Sequence, residues 1–402
     1  MSFEIARSGL NAVSGSLEAI SNNIANSGTY GFKSSRANFS AMYSGSHASG
    51  ASVSSMTQNL GMTGGLFSTG RGMDAMIQGR GYFAVRDASG LQTFTRVGIF
   101  NVDKDGYVVD ASGRNVQGYA ALLDASGRVI EDGGVGALGD LKINVGQIGA
   151  QATDKLSFNG NLSADWATPA VATFDKDDPR SYNYSETSVL YDSQGAKHTL
   201  TQYFVKTGTN AITAHYSFDG AAPSGTQAIT FNADGTLATP TAAFALPTVT
   251  PAGVDPITVS MDYSGTVQFA GDTSIRKNEA NGNAAGTLIN TAISEDGSIV
   301  ATYSNGKKQT VGTLALATFA NENALVALSD TSWEANAATG TALFSRPGTA
   351  QASKLSVAAI EQSNVDMTGE LVNLMAAQRN YQANTKVISA EEQMMQALMQ
   401  AV

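Results

Sequence analysis

Apolar residues near the start of the chain recur at alternating steps of three and four positions. This is the a/d spacing of a heptad repeat, and it continues from Phe3 to Ile24. The Asn-rich stretch Asn22–Gly28 then interrupts the pattern, because Asn and Gly tolerate the left-handed conformation that ends helices. The spacing predicts an N-terminal helix whose apolar seam is formed by Phe3, Leu10, Val13, Leu17, Ile20 and Ile24.

The C-terminal part of the chain repeats the same spacing over a longer distance. The pattern predicts a helix over about 365–400, roughly 50 Å long at 1.5 Å per residue. Ser363, Asn364 and Asp366 precede it and are candidate N-caps. Its seam is formed by Met367, Leu371, Leu374, Tyr381, Ile388 and Met395, with polar residues at Gln378, Thr385 and Glu392.

Each seam is a single narrow stripe, which requires a packing partner. A globular core is one possible partner. The coiled-coil spacing at both extreme termini favours a helical partner instead, either the other terminus or another copy of the chain.

The region between the two predicted helices has the pattern of strands and turns. Short Val, Tyr, Phe and Thr runs alternate with Asp-x-x-Gly turns, in which the Asp side chain accepts backbone N–H bonds and Gly takes a positive φ. Such turns are predicted at Asp87–Gly90, Asp103–Gly106, Asp110–Gly113, Asp124–Gly127 and Asp192–Gly195. The fold class is therefore predicted to be multidomain, with mainly β body domains and long terminal α-helices that form a coiled-coil-like inner layer.

Composition shifts suggest where these domains begin and end. Ser44–Ser55 and Ala335–Ser353 are small and polar, which predicts flexible or irregular segments that are candidate hinges. Residues 146–275 hold 12 acidic and five basic residues, most of the net charge of −10. The predicted domains are 1–30 plus 360–402 (terminal helices), 31–70 plus 346–359 (connecting segment), 71–145 plus 276–345 (β body) and 146–275 (inserted outer β domain).

The composition argues against catalysis and against several kinds of partner. The 402 residues include no Cys and three His, so thiol chemistry is excluded and imidazole chemistry is sparse. Two G-x-G-x-x-A matches, at Gly70 and Gly79, lack the strand-before and helix-after context of a dinucleotide site. We expect no enzyme activity, cofactor or metal, no nucleic-acid partner and no membrane insertion.

Three groups of motifs then resemble one known family, the bacterial flagellar rod and hook axial proteins. The motifs occur in order along the chain, as Ile20–Asn26 and Thr29–Lys33, then Asp74–Val85 and Phe94–Phe100, and finally Ser363–Asp366 and Ala377–Asn384. The length and the inserted domain are more similar to hook members than to rod members, which are shorter. The resemblance marks as family-motif residues Asn22, Asn23, Ile24, Asn26, Gly31, Phe32, Asn364, Val365, Asp366, Gln378, Arg379, Gln382 and Asn384.

The resemblance implies a structural subunit that polymerises into a flexible curved tube, a universal joint that transmits torque from rod to filament. It also implies an extracellular location at the flagellum, reached by type III export without a cleaved signal peptide. The implied partners are further copies of the chain, the rod, the hook cap, and the hook–filament junction and length-control proteins. Two alternatives are a distal rod protein and, from another class, a secreted β-rich adhesin or binding module.

Overall fold

The computed structural model describes residues 2–44, 47–122, 135–143, 146–349 and 353–401. Its two α-helices lie at the ends of the chain, α1 at Ser2–Ala25 and α2 at Met367–Ala401. The described residues between them form strands, turns and loops, with two short 3-10 turns at Pro179–Ser181 and Glu322–Ala324. The prediction of a β body with a helix at each terminus is confirmed.

The strands follow one another at short intervals. In the first part of the chain they are β1 (Ser35–Ser44), β2 (His47–Gln58), β3 (Leu66–Ser68), β4 (Ala75–Gln78), β5 (Tyr82–Arg86), β6 (Gln92–Thr95), β7 (Phe100–Val102), β8 (Val108–Asp110), β9 (Asn115–Ala121) and β10 (Val135–Asp140).

The central strands are β11 (Gln147–Ile148), β12 (Lys155–Asn161), β13 (Tyr184–Tyr191), β14 (Lys197–Gly208), β15 (Ala211–Phe218), β16 (Gly225–Phe231), β17 (Leu237–Thr239), β18 (Phe244–Ala245), β19 (Ser260–Asp262), β20 (Ser274–Ala280) and β21 (Gly286–Ile293). The last strands are β22 (Ser298–Tyr303), β23 (Lys308–Leu314), β24 (Leu316–Thr318), β25 (Val326–Leu328), β26 (Ser332–Glu334), β27 (Leu343–Ser345), β28 (Lys354–Val357) and β29 (Ala359–Glu361).

The described chain divides into two compact units. The first comprises 1–145, 290–302 and 308–402, and the second comprises 146–289 and 303–307. The four domain ranges inferred from the sequence are finer than this division and stay predictions.

The body of the first unit is a sheet built around β5. The order of strands there is β23, β9, β5, β6, β26 and β25, so strands from before the second unit are flanked in one sheet by strands from after it. Tyr82, at 0% exposure, packs edge-on against Trp333 with ring centroids 5.6 Å apart. Phe94 packs in the same way against Phe319, at 4.7 Å. Aromatic pairs of this geometry contribute beyond the apolar area that they bury, so they hold the two chain segments together.

The prediction of a flexible segment at Ser44–Ser55 is wrong for its described residues. β1 and β2 form an antiparallel hairpin, and β2 lies against α1. The backbone N–H of Ala51 donates to Ser8 Oγ at 3.2 Å, and a Cβ on Gly50 would come within 1.9 Å of that oxygen. The small residues are therefore explained by close approach of a strand to a helix.

The segment Ala335–Ser353 is also partly regular. Within it, β27 pairs with β24, with Leu343 opposite Thr318. Residues 350–352 of this segment lie outside the described residues.

The Asp-x-x-Gly turns within the described residues are confirmed. In each, the Asp Oδ1 accepts two backbone N–H groups, as Asp87 does from Ser89 and Leu91 at 2.9 Å, and the Gly has a positive φ, 90° at Gly90. The predicted turn Asp124–Gly127 lies outside the described residues. Gly79 and Gly81, with φ of 112° and 120°, precede β5, so a strand and not a helix follows this G-x-G-x-x-A match.

The strand of the C-terminal segment changes partner at Ala358. β28 pairs with β4, whereas β29 pairs with β3. Ala358, between them, has a φ of 52°, and its carbonyl oxygen accepts the N–H of Thr69 at 2.9 Å. A left-handed conformation at a residue with a Cβ costs free energy, so this kink is strained.

The second unit has its own core between two sheets. One sheet has the order β18-β19-β12-β20, and the other is a meander from β13 to β17. Phe158 and Tyr263 from the first sheet pack with Phe204 from the second. The buried hydroxyl of Tyr263 donates to Gln202 Oε1 at 2.7 Å, so these two polar groups are paired across the sheets.

A histidine near the start of β14 in this meander is paired with two carboxylates. His198 Nδ1 lies 2.7 Å from Asp219 Oδ2, and its Nε2 lies 3.4 Å from Asp192 Oδ2. Partial burial disfavours the imidazolium, but the two carboxylates outweigh this and raise the pKa of His198 above its ordinary value. Burial also opposes ionisation of both aspartates, yet their hydrogen bonds keep the pKa of each below its usual range.

We expect Ala358→Gly to stabilise the protein by about 0.5–1 kcal/mol, since glycine adopts a positive φ without the Cβ clash. Ala359 is buried and lies in β29, so Ala359→Gly is the matched control and should destabilise. Urea unfolding of the full chain measures both, and a loss of stability in Ala358→Gly would contradict the strain at this kink.

We expect the second unit to lose a few tenths to about 1 kcal/mol of stability as the pH rises from about 6 to 8, the range typical of near-surface ion pairs. His198 stabilises the folded unit fully at a pH below about 6.5, its pKa in the unfolded chain. Because its pKa is higher in the folded unit, this stabilisation is lost as the pH rises through that higher pKa. Trp166 is the only tryptophan left in Trp333→Phe, so its fluorescence reports on this unit. The loss of stability with rising pH should disappear in His198→Gln, which leaves the opposite effect of His215, whose pKa is lowered by burial. Its persistence there would assign the loss to other groups.

Candidate functional site

The two terminal helices form an antiparallel pair. The Nδ2 of Asn23 in α1 donates to Glu370 Oε1 in α2 at 2.9 Å. About four helical turns towards the N-terminus, Gly9 lies so close to Asn384 that a Cβ would come within 3.1 Å of its side chain. Small residues on α1 therefore allow the two backbones to approach closely, as expected where helices pack without large side chains between them.

Most of the predicted seam of α1 is turned towards the protein. Ile20 is buried, and Phe3 at the start of the helix is exposed. The remaining seam residues are half-buried, namely Leu10, Val13, Leu17 and Ile24.

The predicted seam of α2 is covered only in part. Leu374 and Ile388 are half-buried, as expected on the side of α1. The other seam residues are exposed, namely Met367, Leu371, Tyr381 and Met395. One helix can cover only part of a 35-residue partner, so the heptad pattern alone did not distinguish covered seam residues from exposed ones.

An apolar patch lies on the face of α2 that points away from α1. Leu371, Val372 and Met375 are 47%, 55% and 51% exposed. At 100° per residue Val372 and Met375 lie about 160° and 100° from Leu374 around the helix, and Leu371, about 60° from it, lies at the border of the two faces. The sequence analysis missed Val372 and Met375, because it considered only a/d positions. A helical projection of all apolar residues would have found them.

The asparagines after α1 have two different roles. Asn26 caps the end of the helix, since its N–H donates to Asn22 O at 3.0 Å and its Nδ2 to Asn22 Oδ1 at 2.6 Å. Asn23 is instead buried, and its side chain exchanges two 2.8 Å hydrogen bonds with the backbone of Ser35 as well as bonding to Glu370. Asn23 therefore joins α1, β1 and α2.

A second asparagine joins the two ends of the chain below the helices. Asn364 Oδ1 accepts the N–H of Ser34 at 2.7 Å, and its Nδ2 donates to Asn59 O at 2.9 Å. Asp366 caps α2 by accepting the N–H of Thr368 at 3.1 Å, as the sequence predicts. Nearby, Phe32 and Val365 are half-buried.

The other family-motif residues have simpler surroundings. Gly31 has a φ of 69°, and its N–H donates to Glu361 O at 2.8 Å. Asn384 is half-buried opposite Gly9. The rest of the motif is exposed on α2, namely Gln378, Arg379 and Gln382.

A buried ionic cluster lies where the chain ends reach the body. Glu361 Oε1 lies 2.6 Å from Lys33 Nζ, and Glu361 Oε2 lies 3.5 Å from Arg96 Nη1. All three side chains are at most 1% exposed. The guanidinium of Arg96 also lies over the ring of Tyr82, 5.2 Å from its centroid. One carboxylate thus serves two cations that come from different segments of the chain.

Backbone groups complete this cluster. Lys33 Nζ donates to Met62 O at 2.7 Å, Gly64 N–H donates to Glu361 Oε1 at 2.9 Å, and Arg96 Nη2 donates to Gly79 O at 2.7 Å. Burial lowers the pKa of Lys33 from its ordinary value, although the charge of Glu361 opposes this. Lys33 and Arg96 lie within the family motifs, but Glu361 was not predicted as a site residue. A charged residue in an otherwise apolar strand of a sparsely charged chain would have indicated it.

The site contains no arrangement suited to metal chemistry among the residues described. No group of three or more His, Cys, Asp or Glu side chains there is placed to hold a metal ion. Neither helix has an apolar stretch long enough to cross a bilayer.

The two terminal helices pack together and leave an apolar face exposed, and segments from both ends of the chain complete the β body of the first unit. These features define the class of self-assembling structural subunits. Comparisons with known proteins agree with this class. Family models match residues 3–33 (flagella basal body rod protein), 76–161 (flagellar hook protein FlgE/F/G D1 domain), 161–283 (flagellar basal body protein FlaE D2 domain) and 357–401 (flagellar basal body rod FlgEFG protein C-terminal).

Full-length relatives are more specific. The chain is 37% identical to the flagellar hook protein FlgE of Salmonella typhimurium and 35% identical to that of Escherichia coli K12, over 99% of each chain. The crystal structure of Helicobacter pylori flagellar hook protein FlgE2 shares the fold, with a TM-score of 0.53 and 13% identity over 72% of this chain and 98% of that one.

The chain therefore belongs to the flagellar hook protein family. It is a structural subunit of the hook, a polymeric and extracellular component of the flagellum, and its family is not a family of enzymes. The distal rod and adhesin alternatives are not favoured.

We expect Glu361→Gln to destabilise the first unit by about 3 kcal/mol or more, because it leaves two buried cations without an anion. Lys33→Met is the matched comparison and should cost less, since it leaves one cation for one anion. Urea unfolding measures both in a Trp166→Phe background, where Trp333 is the remaining tryptophan and its fluorescence reports on the first unit. Equal losses of stability in the two variants would show that the charges do not account for the stability that this cluster provides.

Proposed function

We propose that the chain polymerises into a curved, flexible tube that acts as a universal joint and transmits torque from rod to filament. The terminal helices form the inner layer of this tube. The observation that carries the proposal is the exposed apolar patch of Leu371, Val372 and Met375 on α2. Clustered apolar side chains on a helix face mark a packing surface, and in a polymer the packing partner is another copy.

The remaining parts of the proposal follow from the family. The chain is exported by the type III route without a cleaved signal peptide, adds beneath a hook cap and contacts the rod, the junction proteins and the length-control protein. Its role is structural alone. The absence of cysteine supports this route, because a chain that passes unfolded through a channel then has no disulfide to reform.

Bending of such a tube needs units that move relative to one another without unfolding. The second unit supports this requirement, because its core is complete within its own residues. The four nested domain ranges predicted from the sequence are the proposed moving parts. Polar, sparsely charged surfaces on these parts can exchange contacts more readily than dry apolar ones.

We expect Met375→Glu to prevent polymerisation of the purified full chain while leaving its thermal unfolding almost unchanged. The residue is 51% exposed in the single chain, so a charge there is costly only once the patch is buried by a neighbour. Ser389→Glu, at an exposed polar position on the same outer face, is the matched control and should polymerise normally. Sedimentation and electron microscopy give the readout, and normal tubes from Met375→Glu would refute the inner-layer role of the patch.

A further inference from the structure

The last turns of α2 extend past the end of α1. Asn23 opposes Glu370 and Gly9 opposes Asn384, so the antiparallel pairing reaches Ser2 opposite about residue 391. Residues 392–401, here called the overhang, therefore have no α1 residue opposite them among the described residues. Ten helical residues span about 15 Å.

The overhang continues the face of α2 that packs on α1. At 100° per residue, Met395 and Met399 lie on the same side of the helix as Leu374 and Ile388. Met395, Leu398 and Met399 are 59%, 56% and 73% exposed. An apolar stripe that is covered by α1 along most of the helix is thus left uncovered at its end.

A groove of matching chemistry lies near the other end of the helix pair. It is a cavity of about 260 Å³ between α1, β1 and α2. Its apolar walls include Val13 and Ile20 of α1, Phe39 of β1 and Ala376 of α2. Phe39 is 53% exposed. The space far exceeds the roughly 30 Å³ that one water molecule occupies in the liquid, so the groove has room for side chains.

The charges of the overhang and the groove are complementary. Arg36 lines the groove and is exposed, and it has no ion-pair partner among the described residues. Glu392 begins the overhang, is exposed and is likewise without an ion pair there. The one carboxylate that lines the groove, Glu370, accepts a hydrogen bond from Asn23. Methionine side chains adapt to irregular cavities, which suits the three methionines of the overhang.

We propose that the overhang of one copy packs into the groove of the next copy, with Met395 and Leu398 inside and Glu392 beside Arg36. The groove and the overhang lie at different positions along one continuous helix, so a chain cannot fill its own groove. The contact is head-to-tail, and contacts of this kind repeat into open helical assemblies. The proposal rests on the proposed function, because it requires that the chain polymerise.

The absence of cysteine makes a direct test possible. Ala376→Cys places a thiol in the groove, and Met395→Cys places one in the overhang. After the two variants are mixed, polymerised and oxidised, we expect disulfide-linked dimers, with few in either variant alone. The double variant Ala376→Cys/Met395→Cys should give a ladder of linked oligomers, because a head-to-tail contact repeats.

The matched control pairs Ala376→Cys with Ser389→Cys, because Ser389 lies on a different side of α2 from Met395. If tubes form but Ala376→Cys and Met395→Cys give no more disulfide-linked dimers than this control, the overhang contact is overturned. The proposed function would still stand. Dimers from Ala376→Cys alone would also overturn it, because they indicate a symmetric contact. A wild-type chain that forms no polymer would instead overturn the proposed function.

A charge exchange tests the same contact without cysteine. Arg36→Glu and Glu392→Arg should each raise the critical concentration for polymerisation about fivefold, as expected for loss of a near-surface ion pair. The double variant should return it to near the wild-type value. Additive losses in the double variant would show that these two charges do not meet.

Discussion

The structure of the first unit depends on one buried carboxylate. Glu361 lies just before α2 and binds Lys33, which follows α1, and Arg96, which belongs to the body. A buried cation without an anion would be strongly unfavourable, so neither cation can occupy its place unless the C-terminal segment is present. The two chain ends must therefore leave the body from the same point.

This common origin sets the geometry of the terminal helices. Helices that start from one point and are joined there by Asn23, Ser35 and Glu370 must run side by side in opposite chain directions. Their lengths, 24 and 35 residues, then decide how far one extends past the other. The register of the pair, the exposed outer face and the overhang are consequences of the same anchor.

Much of the fold was predictable because it is encoded locally. The heptad spacing gave both helices, and the Asp-x-x-Gly pattern gave turns such as that at Asp87, since each depends on residues within one or two turns of chain. The prediction of a flexible segment at Ser44–Ser55 was wrong, because β2 covers most of it. Ser, Ala and Gly are typical of flexible segments, and only the proximity of Ser8 to Gly50 shows why they are needed in a strand.

The sequence by itself determined the family, the helical ends and the β body, since these follow from periodicity, turn chemistry and ordered motifs. Only the tertiary structure decided which face of α2 is covered by α1 and which is left exposed. The heptad seam contains Leu374 and Leu371 alike, yet one lies towards α1 and the other is exposed. The meeting of Lys33, Arg96 and Glu361 was also beyond the sequence, because Glu361 lies 265 or more positions from each of the two cations and no local pattern shows that they share one charge cluster.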